Sequence, residues 1–373
     1  LTFGEGYPCT SIKSMNRKFH FIRKQIRSMN LLTSKYLSNS PVEWLIDESD
    51  PSISYLTRRD ILEDKRCHDL YPAIAESPEF SKLIGRTGTI LGDGRNYDIY
   101  YSGTVWCFAE AVERGLDQRS PVIRETAEFI ISQCQTPRGG FSLKWKPQVE
   151  LACRTGDMIR LLVKAGYTDD RVRNGIAWIT SHQRHDGGWL HCPLAGMCDQ
   201  LRLVLLNSPG KGLAREANGN VKSCLYATIA CSMALAEYRE KTGSRTSDLI
   251  IKKAADFFLR RSLFKNSRNE PIKPRSSWNR DFRLLGYQVM SQYDILYGLL
   301  FIARAGFIGD RRAGEAFNLV ISKQNGDGTW NMENAPTGMM YGDEPKKHTG
   351  RQSKWVTLQV MRLLKHHVND SGA

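Results

Sequence analysis

Gln183-Arg-His-Asp-Gly187-Gly-Trp189 has two counterparts elsewhere in the chain, Gln135-Thr-Pro-Arg-Gly139-Gly-Phe141 and Gln324-Asn-Gly-Asp-Gly328-Thr-Trp330. Each copy reads Gln, three residues, Gly, one residue, aromatic, and each follows a stretch with helical spacing of apolar residues. The first two begin 48 residues apart, and the third begins 141 residues after the second, close to three such steps. A period of this size marks stacked supersecondary units. The pattern has a physical rationale: a Gln side chain satisfies orphan groups at a neighbouring helix end, Gly permits positive φ, and the aromatic seals adjacent units.

Working outward from these phrases, the chain alternates helix, turn and helix. The spacing predicts helices over 100–113 and 121–133, 153–165 and 171–182, 223–239 and 247–261, 289–304 and 313–323, with a last helix over 353–366. Asp50-Pro51 marks an earlier helix start, Asp50 as the cap and Pro51 at the first helical position. The unpaired final helix is what a closed ring needs if its partner comes from the N-terminal region. Two long connections, 190–222 and 264–288, interrupt the period, and loops of that length in a helical domain are often functional.

The 373 residues divide into a basic extension over 1–39, expected to be poorly ordered, one domain over 40–367 and a short tail over 368–373. Hydrophobic content of 41% and charged content of 25% are those of a globular protein. No apolar run reaches the length needed to span a bilayer. Arg23, Lys24 and Arg27 interrupt the only early apolar patch, so no secretory leader is read there. Nine scattered cysteines suit a reduced cytoplasm better than a disulfide scaffold. The net charge of +14 is partly concentrated in the first 35 residues, a basic arm suited to peripheral contact with a membrane surface. No nucleic-acid motif accompanies it.

The repeated phrase, lying between an outer helix and the next inner one, resembles the repeat of squalene and hopene cyclases and protein prenyltransferase β-subunits. The resemblance covers about residues 40–367 and is nearest to the smaller bacterial single-toroid members of that superfamily. It implies an all-α, α/α-toroid fold in a single domain, with inner and outer helical rings around a central cavity, and an isoprenoid or other apolar small-molecule ligand. It does not extend to the reaction. The Asp-x-Asp-Asp phrase of protonating cyclases and the Asp-Asp-x-x-Asp phrase of ionising synthases are absent, and so is the Asp-x-Cys pair of the prenyltransferase zinc site.

Candidate site residues follow from the expected inner helices. Cys153 and Cys224 begin neighbouring inner helices, with Cys192 and Cys198 in the loop between them. Four thiolates, or three with His191 as substitute, would suit zinc or an iron–sulfur cluster. Tyr101, Trp106, Tyr226, Tyr293 and Tyr297 would line a substrate cavity, with aromatic faces able to hold an isoprenoid chain or stabilise a cation. Asp294, among apolar residues, and Asp157, on the helix of Cys153, are the candidate general acids. Asp294 could equally cap a helix or pair with Arg283. Two function classes follow: an enzyme acting on an isoprenoid-like substrate, or a non-catalytic ligand- or protein-binding toroid with a structural cysteine site.

Overall fold

Three helix starts in this chain are set by aspartate side chains that take up orphan amides. Asp50 accepts from the Ile53 amide at 3.0 Å, Asp169 from Arg171 at 3.0 Å and Asp294 from Tyr297 at 2.8 Å. A computed structural model of the chain describes residues 22–29, 33–85, 88–92, 103–142, 149–190, 222–273, 281–287, 290, 292–334 and 349–371. In order, these hold α1 (22–29), α2 (Val42–Leu45), α3 (Pro51–Asp60), α4 (Tyr71–Ala75), α5 (Pro78–Ser81), α6 (Thr104–Glu113) and α7 (Pro121–Cys134). There follow α8 (Ala152–Lys164), α9 (Asp170–Ser181), α10 (Leu225–Thr242), α11 (Asp248–Leu259), α12 (Ile295–Arg304), α13 (Gly314–Ser322) and α14 (Lys354–Ser371). Extended structure among the described residues is limited to isolated bridges such as Gln135–Phe141 and Trp189–Cys224. The all-helical expectation is met. No helix among the described residues is long and apolar enough to cross a membrane.

The repeated phrase forms the same turn each time. Thr136, Arg184 and Asn325 donate their amides to the carbonyls of Gly140, Gly188 and Thr329 at 2.8–2.9 Å. The preceding Gln reaches a later helix: Gln135 Nε2 donates to Arg171 O of α9 at 2.8 Å, and Gln183 Nε2 to Ile250 O of α11 at 2.9 Å. Gln324 Nε2 lies 3.4 Å from Tyr36 O, while its Oε1 accepts from Ser38 N at 3.0 Å. The N-terminal segment 33–39 therefore stands, for the last turn, where α9 and α11 stand for the first two.

The invariant Gly of the phrase is required twice over. Gly139, Gly187 and Gly328 have φ of +96°, +88° and +85°. A Cβ there would lie 2.6 Å from Asn174 C, 2.9 Å from Lys253 C and 2.7 Å from Asn39 C, inside van der Waals contact with the next element's backbone. The aromatic closes the unit. Its amide is accepted by a threonine at the fourth position of the next helix, α8, α10 or α14: Phe141 by Thr155 at 2.8 Å, Trp189 by Thr228 at 3.1 Å and Trp330 by Thr357 at 3.0 Å. Both indoles donate backward, Trp189 to Ile179 O and Trp330 to Val320 O, each at 2.8 Å.

A fourth copy carries none of the signature residues. In Lys265-Asn-Ser-Arg-Asn269-Glu-Pro271, Asn266 N donates to Glu270 O at 2.8 Å and Asn269 has φ +63°. Asn replaces Gly at the left-handed position, which it tolerates better than most residues. Lys265 replaces Gln and reaches α13 through Glu315 at 2.5 Å.

Helix neighbours follow the chain. α6 packs on α8, α8 on α10, α10 on α12, α12 on α14, and α14 on α3. α7, α9, α11 and α13 pack respectively on α6, α8, α10 and α12. The α8–α10 seam is the tightest. Gly156 sits so close to α10 that a Cβ would lie 2.5 Å from Cys231 N, and Cys231 Sγ donates to Ala152 O at 3.2 Å. Beyond α6, Gly115 lies against the Tyr55 ring of α3, and Arg119 Nη2 donates to Tyr55 Oη at 3.1 Å.

Candidate functional site

The C-terminal ends of α3, α6, α8, α10 and α12 and the middle of α14 meet around a cavity of about 570 Å³. Its floor is aliphatic, from Val112, Leu116 and Val163, but its walls are charged. Asp60 of α3 pairs with Arg362 of α14, Nε at 3.0 Å and Nη2 at 2.5 Å. Lys365 bridges Asp60 O at 2.7 Å and Glu63 at 2.6 Å. Arg304 of α12 lies 2.9 Å from Glu240 and 3.4 Å from Glu237, both on α10. Arg59, Lys164, Lys241 and Arg304 stand in the last turns of α3, α8, α10 and α12, where cations suit the negative carbonyl ends.

Behind this wall the charges continue into the protein. Glu113, buried at 3% exposure, takes three donors: Arg160, Lys164 Nζ at 2.7 Å and Tyr287 Oη at 3.0 Å. Arg160, at 1% exposure, also stands 4.0 Å from Glu237. Burial alone would raise the Glu113 pKa, yet Lys164 and Arg160 outweigh it and hold the carboxyl below its usual range. Burial pulls Lys164 downward. Glu110 fares differently. Among the described residues its carboxylate pairs with Arg114 at 3.2 Å, and burial pushes it up to about 7. His366, lining the cavity, is lowered to about 4 by burial and then by Arg304, Lys365 and Arg362.

The residues expected from the sequence fall elsewhere. Tyr101, His191, Cys192 and Cys198 lie outside the described residues. Tyr293 is a core side chain, stacked on Phe258 with centroids 5.5 Å apart and donating to Leu263 O at 2.6 Å. Trp106 is buried in α6, and Tyr226 is half-buried and edge-on to Phe282 at 6.0 Å. Tyr297 is buried on α12, where Arg160 and Glu237 influence its hydroxyl. None of these four lines the charged cavity.

Asp294 precedes α12 rather than lying within it. It is fully buried and accepts from the amides of Tyr297 at 2.8 Å and Gly286 at 2.9 Å, a capping role. Arg283 pairs with Asp281 at 2.5 Å. Asp157 is buried on α8 between Arg154 and Arg160. Cys153 is buried in the first turn of α8, and Cys224 caps α10 with its amide donating to Trp189 O at 2.8 Å. Among the described residues, no three His, Cys, Asp or Glu side chains converge as a metal site.

The charged interior had a readable signal. Arg154, Asp157, Arg160 and Lys164 recur at three- and four-residue steps on α8, one charged stripe of three cations and a carboxylate. All but Lys164 are at most 3% exposed. No protein-family model matches the chain, and no curated protein matches it.

Proposed function

We propose that the chain is a closed α/α-toroid of the repeat class it resembles. In this reading it binds a small polar or charged molecule at the mouth where its inner helices end. The observation that carries the ligand reading is the cavity of about 570 Å³, of a size usual for small-molecule sites, walled by charged groups from five helices. Ring closure is supported by the succession of helix contacts from α6 round to α3 and by the Gln324 contacts to segment 33–39. An isoprenoid needs an apolar enclosure, and the ion pairs at this mouth offer a hydrocarbon no compensation for lost hydration.

Thermal-shift titration tests the reading, with a panel of charged metabolites run beside farnesol as the hydrocarbon probe. Stabilisation by a charged compound, abolished in Arg304→Gln, is the expected result. Stabilisation by farnesol alone, unchanged in that variant, would return the protein to the isoprenoid class.

A structural metal site at Cys153, Cys192, Cys198 and Cys224 is a separate part of the proposal. It is supported by Cys153 and Cys224 opening two closely packed helices. Four protein thiolates would fill a tetrahedral site and leave no open position for catalysis. Elemental analysis of the purified protein should find about one equivalent of zinc, or iron at cluster stoichiometry. Neither metal above a tenth of an equivalent ends this part.

A further inference from the structure

Helix α1 belongs to the basic arm and lies at the rim of the charged mouth. Gln25 and Ser28 share a small cleft with Glu63 and Lys365, two residues that also line the main cavity. Ile26 and Met29 are the buried side of α1 and join the core. Its other side presents Arg23, Lys24 and Arg27, all exposed. On the α10 side of the mouth, the connection to α11 carries exposed Lys241 and Arg245. Leu249 follows in the first turn of α11, with exposed Lys252 and Lys253 three and four residues beyond it on the same helix face. Leu249, at 63% exposure, is the one large apolar side chain left exposed among the described residues. The nearby carboxylates are taken: Glu63 by Lys365, Glu240 by Arg304, and Asp248 by Arg239 and Arg245. Arg23, Lys24, Arg27, Lys241, Lys252 and Lys253 therefore keep uncompensated charge among the described residues.

We propose that this end of the protein docks on an anionic phospholipid surface, with α1 and the α10–α11 connection as its two points of contact. The chemistry favours a bilayer over a nucleic acid. These cations stand on two sides of a mouth, not along one groove that could track a phosphate backbone, and no exposed aromatic accompanies them. The exposed leucine sits among cations, where the headgroup layer of a bilayer would meet both. The apolar side of α1 is occupied by the core, so α1 contributes charge and not insertion, which makes the contact reversible and salt-sensitive. Docking of this kind needs no ligand in the mouth.

Flotation of the full chain with vesicles of phosphatidylcholine alone, or of phosphatidylcholine and phosphatidylserine in equal parts, tests the assignment. Partition onto the mixed vesicles should be at least about tenfold stronger, since each cation near such a surface contributes about fivefold. Raising the salt from about 0.1 M to about 1 M should remove most of it, because the Debye length falls from about 10 Å to about 3 Å. The triple variant Arg23→Gln, Lys24→Gln, Arg27→Gln should lose about tenfold or more, and Leu249→Ser a smaller factor. A control triple, Lys222→Gln, Arg268→Gln, Lys273→Gln, removes equal charge from exposed residues at the other end, where α10 begins and α11 ends. It should lose less than about threefold. Circular dichroism verifies that the variants fold. Equal losses in the two triple variants would reduce the effect to net charge and overturn the assignment. So would retention on heparin or duplex DNA without partition onto mixed vesicles, which would make this end a polyanion site. No binding to any of these surfaces would sink it outright.

Discussion

Replacing Glu113 with Gln probes whether the charged interior is a single coupled unit. Glu113 is the acceptor for Arg160, Lys164 and Tyr287, so the neutral amide turns an NH₂ toward donors and leaves two cations short of a counter-charge. Arg160 then still has the 4.0 Å approach to Glu237. Breaking a buried pair by removing one partner typically costs about 3–5 kcal/mol. With an unfolding entropy of about 2.1 cal/mol/K per residue, that corresponds to a Tm lower by about 4–6 °C.

The acid limb supplies an independent sign. Glu113 has a folded pKa below its ordinary 4.5, so its stabilisation is present above that value and fades as pH falls through the folded pKa. The variant should therefore lose less stability than the parent between neutral pH and pH 3, measured by urea unfolding. Adding Arg160→Met should recover part of the loss, since a buried cation and its counter-charge are then removed together. A single-variant cost under about 1 kcal/mol, or a double variant equal to the sum of the singles, would refute the coupling.

Glu110→Gln should act in the opposite direction on pH. Burial raises the Glu110 pKa to about 7, so the stability it lends the fold is complete below its ordinary 4.5 and is lost as pH rises through 7, by about 3 kcal/mol. Relative to the parent, the variant should gain stability between pH 5 and pH 8; parallel profiles would reject the assignment. Gly156→Ala gains about 0.8–1 kcal/mol of helix propensity but pushes a methyl onto the α10 backbone, where overpacking costs about 1–3 kcal/mol or more. Net destabilisation in denaturant is expected, and a stabilised variant would mean that the seam is looser than described. Gly328→Ala places a Cβ at φ +85° against Asn39, so segment 33–39 should detach and trypsin should cut after Lys35 faster. An unchanged cleavage rate would show that this segment does not depend on the turn.

The helices were legible because their ends are written locally, in caps such as Asp50 and Asp169 and in the three Gln-x3-Gly turns. Even there the reading stopped at surface chemistry. The Lys265–Asn269 turn has the same geometry with a different side chain at every signature position, so only the backbone identifies it. Asp294 was read into a helix because apolar residues flank it on both sides, whereas its carboxylate is occupied by the amides that begin that helix.

The cavity was missed for a different reason. Charges on an amphipathic helix normally face water, and that default fails where a helix is buried all round, as α8 is from Ala152 to Val163. Arg154, Asp157 and Arg160 then have nowhere to point but inward. The partners of the two arginines come from α6, α10 and the segment before α12, outside any local window: Glu113 is 47 residues from Arg160, and Met290 is 136 from Arg154. Aromatic content alone favoured an apolar cavity, yet Tyr293 and Phe258 pack face to face, using their surface on each other. What a buried helix does with its charged stripe, rather than how many rings surround it, decides which ligand the interior can hold.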